Sequence, residues 1–183
     1  MVGEKGFWGC LLTFAVILSL GIFLTGAGVD PFSKVDIKPV KDKKKTPNIR
    51  LECLKGERVE LKDAIKGKVV FLNFWATWCG PCKEEMPSME ALYKQYKDKD
   101  FVFLTISVDY EGLKPVKAFM ERSQYTFPVL LDPKSETLDM FAVTRIPTTF
   151  IIDKEGRMIG RAIGPRNWKS PEFESILTQL MGK

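Results

Sequence analysis

The apolar residues of this chain change period several times, and each change marks an element. Phe7 to Val29 is a block of 23 residues without a formal charge. As a helix it reaches roughly 34 Å at 1.5 Å per residue, enough to span a bilayer. The other reading is a cleaved signal peptide, with Thr25 and Ala27 as small residues before a cut. Residues 30 to 48 break the pattern, since Pro31, Pro39 and Pro47 are interspersed with lysines, and they read as a solvated tether. Ile49 to Leu54 and Arg58 to Leu61 then read as two short strands turned at Lys55-Gly56, followed by a helical turn to Ile65 that Gly67 stops.

Val69 to Trp75 is a continuous β-branched and aromatic run, the mark of a central strand buried on both faces. Met86, Met89, Leu92, Tyr93 and Tyr96 recur at helical spacing and read as a core stripe. Phe101 to Val108 predicts a strand, Leu113 to Arg122 a helix, Val129 to Leu131 a short strand and Ser135 to Phe141 a helix. Thr148 to Asp153 and Met158 to Ile163 form a hairpin around Lys154-Glu155-Gly156-Arg157, and Ser170 to Met181 closes the chain as a helix. Strands alternating with helices imply parallel pairing, so the fold class is α/β: a mixed sheet flanked by helices, with an N-terminal β-hairpin.

Composition narrows the function. The 183 residues suit one globular domain with an appendage: an anchor over 1–29, a charged linker over 30–45 and a folded domain over 46–183. Residues 1 to 45 hold 7 lysines against 4 acids, leaving 21 basic and 19 acidic residues for the remainder. The basic excess therefore lies largely outside the globular part, and no nucleic-acid-binding face is indicated. The chain has no histidine, which removes His-containing metal sites, Cys-His nucleophile pairs and histidine acid-base catalysis.

The candidate chemistry is concentrated in Trp78-Cys79-Gly80-Pro81-Cys82, because two thiols spaced C-x-x-C can form and break one disulfide. Residue 83 is Lys, so the motif does not extend to the haem-attachment signature C-x-x-C-H. If a helix begins near Cys79, unpaired backbone N–H groups and the helix dipole favour a thiolate there. Cys79 is then the nucleophile, and Cys82, one turn further on, is the resolving thiol. The alternative is an inert pair or half of a zinc site, but a four-cysteine site would need Cys53 and also Cys10, which lies in the apolar block.

Together with Asn73-Phe74-Trp75-Ala76-Thr77 and Lys83-Glu84-Glu85-Met86-Pro87, this motif resembles the active site of the TlpA/ResA-like, membrane-tethered thiol:disulfide oxidoreductases of the thioredoxin superfamily. Phe127 to Asp132 and Ile146 to Gly156 carry the same resemblance, which covers about residues 46 to 183. It implies a thioredoxin-like fold with an inserted helix and strand around Leu113 to Leu131. It also implies that Pro147 is held in cis opposite the disulfide, with Ile146 beside the bound client; without the resemblance, Pro147 reads as the start of an edge strand. Arg145 stands where many relatives carry a smaller residue. Glu85 matches an acid placed behind the second cysteine, where it could raise thiol pKa values or relay a proton; the alternative is an acid complementing the helix N-terminus. Trp78 offers a flat surface to a partner, and Pro87 should kink the helix rather than end it.

The resemblance implies a reductant of exported disulfide-containing proteins, apocytochrome c among them, re-reduced by a membrane thiol-electron transporter of the CcdA/DsbD type. No cofactor or metal is called for. It places the redox domain on the outer side of the cytoplasmic membrane, whereas Lys34, Lys38, Lys41 and Lys43 to Lys45 after the span would favour the cytoplasmic side. A peroxiredoxin-type peroxidase would need P-x-x-x-T-x-x-C, but Leu72 and Ala76 occupy those positions. A metal-delivery or chaperone module would have one close cysteine pair and no histidine with which to bind copper.

Overall fold

Seven consecutive buried residues, Val69–Trp75, run through the middle of the molecule. The computed structural model describes residues 31–182, so the predicted span over residues 7–29 lies outside the described residues. No helix among the described residues is long and apolar enough to cross a membrane. After a 3₁₀ turn at Pro31–Val35 the strands are β1 (Lys38–Pro39), β2 (Arg50–Cys53), β3 (Arg58–Glu60), β4 (Val69–Trp75), β5 (Phe101–Ser107), β6 (Val129–Leu131), β7 (Thr148–Ile152) and β8 (Met158–Ile163). The helices are α1 (Leu61–Ala64), α2 (Gly80–Tyr96), α3 (Leu113–Ser123), α4 (Glu136–Met140) and α5 (Pro171–Met181).

The strands form one mixed sheet in the order β1-β8-β7-β4-β5-β6-β2-β3. Strands β4, β5 and β6 are parallel to one another, while β7 runs antiparallel to β4 and β8 antiparallel to β7. The predicted hairpin of β2 and β3 attaches at the far edge, beside β6. This is the thioredoxin-like α/β arrangement, and α3 and β6 occupy the stretch where the resemblance implies an inserted helix and strand.

Side chains alternate across β4, as strand geometry requires. Phe71 meets Trp168 and Phe173, Asn73 meets Glu85, and Trp75 meets Phe119. That face therefore carries α2, α3 and α5. Phe74 points the other way, against Phe141 at the end of α4.

The solvated tether expected over residues 30–48 needs correction. Its lysines are exposed, but Phe32 and Ile37 are buried at 5% and 2% exposure. β1 pairs with β8, the Val40 N–H donates to Ile159 O, and the Thr46 N–H donates to Gly156 O. The folded unit thus begins before residue 46, because two apolar side chains and an unpaired sheet edge recruit the segment. Gly160 permits the close approach: a Cβ there would stand 2.9 Å from Ile37 Cγ2 and 3.2 Å from the Phe32 ring.

Candidate active site

At the C-terminal end of β4 the chain turns through Ala76, Thr77 and Trp78 before α2 begins. Asp109, just beyond β5 and 3% exposed, pins this turn. Its carboxylate accepts from the Thr77 N–H at 2.9 Å and the Thr77 hydroxyl at 2.5 Å, and Ser107 Oγ donates to it at 2.7 Å. Cys79 is the N-cap of α2, with extended backbone and Sγ accepting from the Cys82 N–H at 3.2 Å. Pro81 occupies the first turn, where a residue lacking an N–H leaves no donor unpaired.

Cys79 and Cys82 are joined in a disulfide with Cα atoms 5.3 Å apart. Cys82 is fully buried, while Cys79 keeps 5% of its surface. A reagent arriving from solvent therefore meets Cys79 first. Trp78 stands 63% exposed beside it. Pro87 lies inside α2, which continues past it to Tyr96.

Glu85 is one turn beyond Cys82 on α2 and only 2% exposed. Three N–H donors converge on its carboxylate: Asn73 Nδ2 at 2.9 Å, Trp168 Nε1 at 2.9 Å and the Arg166 backbone N–H at 3.3 Å. Each favours the ionised form, as does the Arg166 charge, but burial outweighs them and pushes the Glu85 pKa up to about 7. Glu90, also on α2, is held by the Thr126 hydroxyl and N–H and by Lys94, and these bring its pKa below the usual carboxylate value. Sequence reading found Glu85 and Asn73 but missed Trp168, Arg166 and Asp109. The signal for Trp168 was a general one, that a buried indole N–H needs an acceptor.

The Ile146-Pro147 peptide is cis. Thr148 pairs with Phe74 near the end of β4, so Pro147 sits at the same end of the sheet as the disulfide. Pro147 is buried, Ile146 partly so, and Arg145 is exposed. The structure thus gathers Trp78, Cys79, Cys82, Glu85, Ile146 and Pro147 at one end of β4 and β7. The exposed apolar residues Tyr110, Leu113 and Ile163 follow β5 or end β8 at that same end.

The AhpC/TSA family profile matches residues 43–160. The thiol-disulfide oxidoreductase ResA of Bacillus anthracis is 41% identical over 137 residues, covering 75% of this chain and 77% of that protein. The thioredoxin-like protein YneN of Bacillus subtilis is 39% identical over 142 residues, covering 77% and 82%. Among solved structures, a thiol:disulfide interchange protein of the thioredoxin family from Chlorobium tepidum TLS superposes with a TM-score of 0.65 at 30% identity, covering 79% of this chain and 98% of that one.

Proposed function

The chain belongs to the AhpC/TSA family, among its ResA-like thiol-disulfide oxidoreductases, and from that premise we propose that it reduces disulfides in exported proteins through Cys79 and Cys82. The observation that carries this reading is the Cys79–Cys82 disulfide at the N-terminus of α2, with the buried acid Glu85 one turn behind it.

In the dithiol form, the Cys79 thiolate attacks one sulfur of the client disulfide. The client S–S bond breaks, a mixed disulfide forms on Cys79, and the departing client thiolate takes up a proton from solvent. Cys82 then loses its proton and attacks Cys79 Sγ, releasing the second client thiol and leaving the disulfide now seen. Two electrons and two protons pass to the client. Glu85, titrating near neutral pH, accepts the proton that Cys82 must lose and returns it as the client thiolate departs.

Trp78, Ile146 and Pro147 form the contact surface for the client chain. The family supplies the class of partner, a disulfide-containing substrate; apocytochrome c is the client favoured by the ResA resemblance. Re-reduction is assigned to a membrane thiol-electron transporter of the CcdA/DsbD type. Residues 7–29 anchor the protein in the cytoplasmic membrane, with the redox domain that follows them outside it. The lysine-rich segment that opposes this topology is held in part against the domain.

The test is trapping. Cys82→Ser protein, reduced and mixed with a disulfide-containing client, should accumulate a covalent adduct on Cys79 visible by mass spectrometry, and Cys79→Ser should accumulate none. An adduct with Cys79→Ser, or none with either variant, would refute the assignment.

A further inference from the structure

A second feature of the disulfide end lies away from the thiols. Asp36, Lys38, Thr144, Arg145, Arg161 and Ile163 line a cleft of about 400 Å³. Its position follows from the strand register. Lys38 pairs with Arg161 across β1 and β8, Ile163 pairs with Thr148 across β8 and β7, and Thr148 pairs with Phe74 of β4. Arg145 is two residues before Pro147. The cleft is thus the continuation, toward the β1 edge, of the surface that carries Cys79.

Its charge is lopsided, with three cations and one carboxylate. That carboxylate, Asp36, also interacts with Arg166. Arg161 is fixed in place: Nη2 donates to Ala142 O at 2.7 Å, and the guanidinium lies 5.5 Å from the centre of the Phe150 ring. Its Nε is shielded from solvent and has no acceptor among the described residues. A held guanidinium lining the cleft beside the exposed Arg145 suits a carboxylate ligand.

We propose that this cleft is a specificity subsite that takes an acidic side chain of the client polypeptide, reading the sequence beside the client's reacting cysteine. The proposal rests on the thiol-disulfide reading above. Two strand spacings separate β4 from β8, about 10 Å, and an extended chain advances about 3.3 Å per residue. The acidic residue therefore stands about three or four positions from the client cysteine. Asp36 sets the limit of the site, since it repels a carboxylate entering from the β1 side.

The probes are two synthetic peptides, each closed by one disulfide, with either Asp or Asn at the third and fourth positions from the cysteine. The full chain, reduced beforehand and freed of reductant, should reduce the Asp peptide in a single turnover with a second-order rate constant about fivefold higher than for the Asn peptide at about 50 mM salt. The ratio should fall below about twofold at about 1 M salt, where the screening length is about 3 Å. It should also fall toward one in the Lys38→Gln, Arg145→Gln double variant, whose altered side chains are both exposed. Equal rates for the two peptides with the parent protein at low salt, or a preference that survives in the double variant, would overturn the subsite while leaving the reductase reading intact. Reduction of neither peptide would overturn both.

Discussion

Glu85 shows how a single residue can be set against its surroundings. Three N–H groups and a neighbouring arginine favour its charge, yet withdrawal from water is the larger effect, and its pKa rises from 4.5 to about 7. The neutral acid carries an O–H that needs an acceptor, while Asn73, Trp168 and Arg166 all present donors. Asn73 Oδ1, buried without a partner among the described residues, can supply that acceptor if the amide turns over. The consequence for stability has a definite sign. Between pH 4.5 and about 7 the folded protein holds a proton that the unfolded chain has released, so stability is greatest at the acid end and falls as pH rises through this window. The loss from this group is on the order of 3 kcal/mol, levelling off above about pH 7. Denaturant unfolding of the disulfide form as a function of pH should show this decline, and Glu85→Gln should remove it. A variant that retains the full decline would show that another group is responsible.

The elements divide by how local their causes are. The bounds of β4, β6 and β8 coincide with the predicted runs: β4 and β6 are largely apolar runs that begin after Lys68 and Pro128, and β6 and β8 stop at Asp132 and Gly164. The start of α2 was equally legible, since Cys79 and Pro81 suit the cap and the first turn. The N-terminal segment was not. Phe32 and Ile37 are isolated apolar residues among Lys, Pro and Asp, and a two-residue strand has no period to detect; only the edge of β8 makes sense of it. Trp168 and Arg166 were hidden for a related reason, since they reach Glu85 across 83 and 81 residues of chain. The docked segment makes its own prediction through Gly160. Replacing it with Ala puts a methyl group against Ile37 and Phe32, and overpacking of this kind costs about 1–3 kcal/mol. Gly160→Ala should speed amide exchange at Ile37 and Val40, whose N–H groups bond Phe32 O and Ile159 O, with little change at β4. Unchanged exchange at those two amides would mean that the segment is held by other contacts.

Across the whole molecule, one end of the sheet carries the function and the rest supports it. β4 delivers the cysteines, β5 delivers Asp109 to pin their turn, β7 begins behind the cis proline, and β8 with β1 forms the cationic cleft. Trp78, Tyr110 and Ile163 leave apolar surface exposed at that end, as a protein that must grip a client chain requires. The fold class and the C-x-x-C chemistry could be read from sequence because both are written in short runs. The cleft could not, because its residues come from three separated stretches and only strand register unites them. The direction of electron flow is the claim on which the rest depends, and the reduction potential of Cys79–Cys82 reports it directly. Equilibrated against a thiol-disulfide buffer at pH 7, the pair should lie nearer the roughly −270 mV of thioredoxin than the roughly −120 mV of a strong oxidant such as DsbA. A value near −120 mV would contradict the account, because such a pair donates its disulfide to clients rather than reducing theirs.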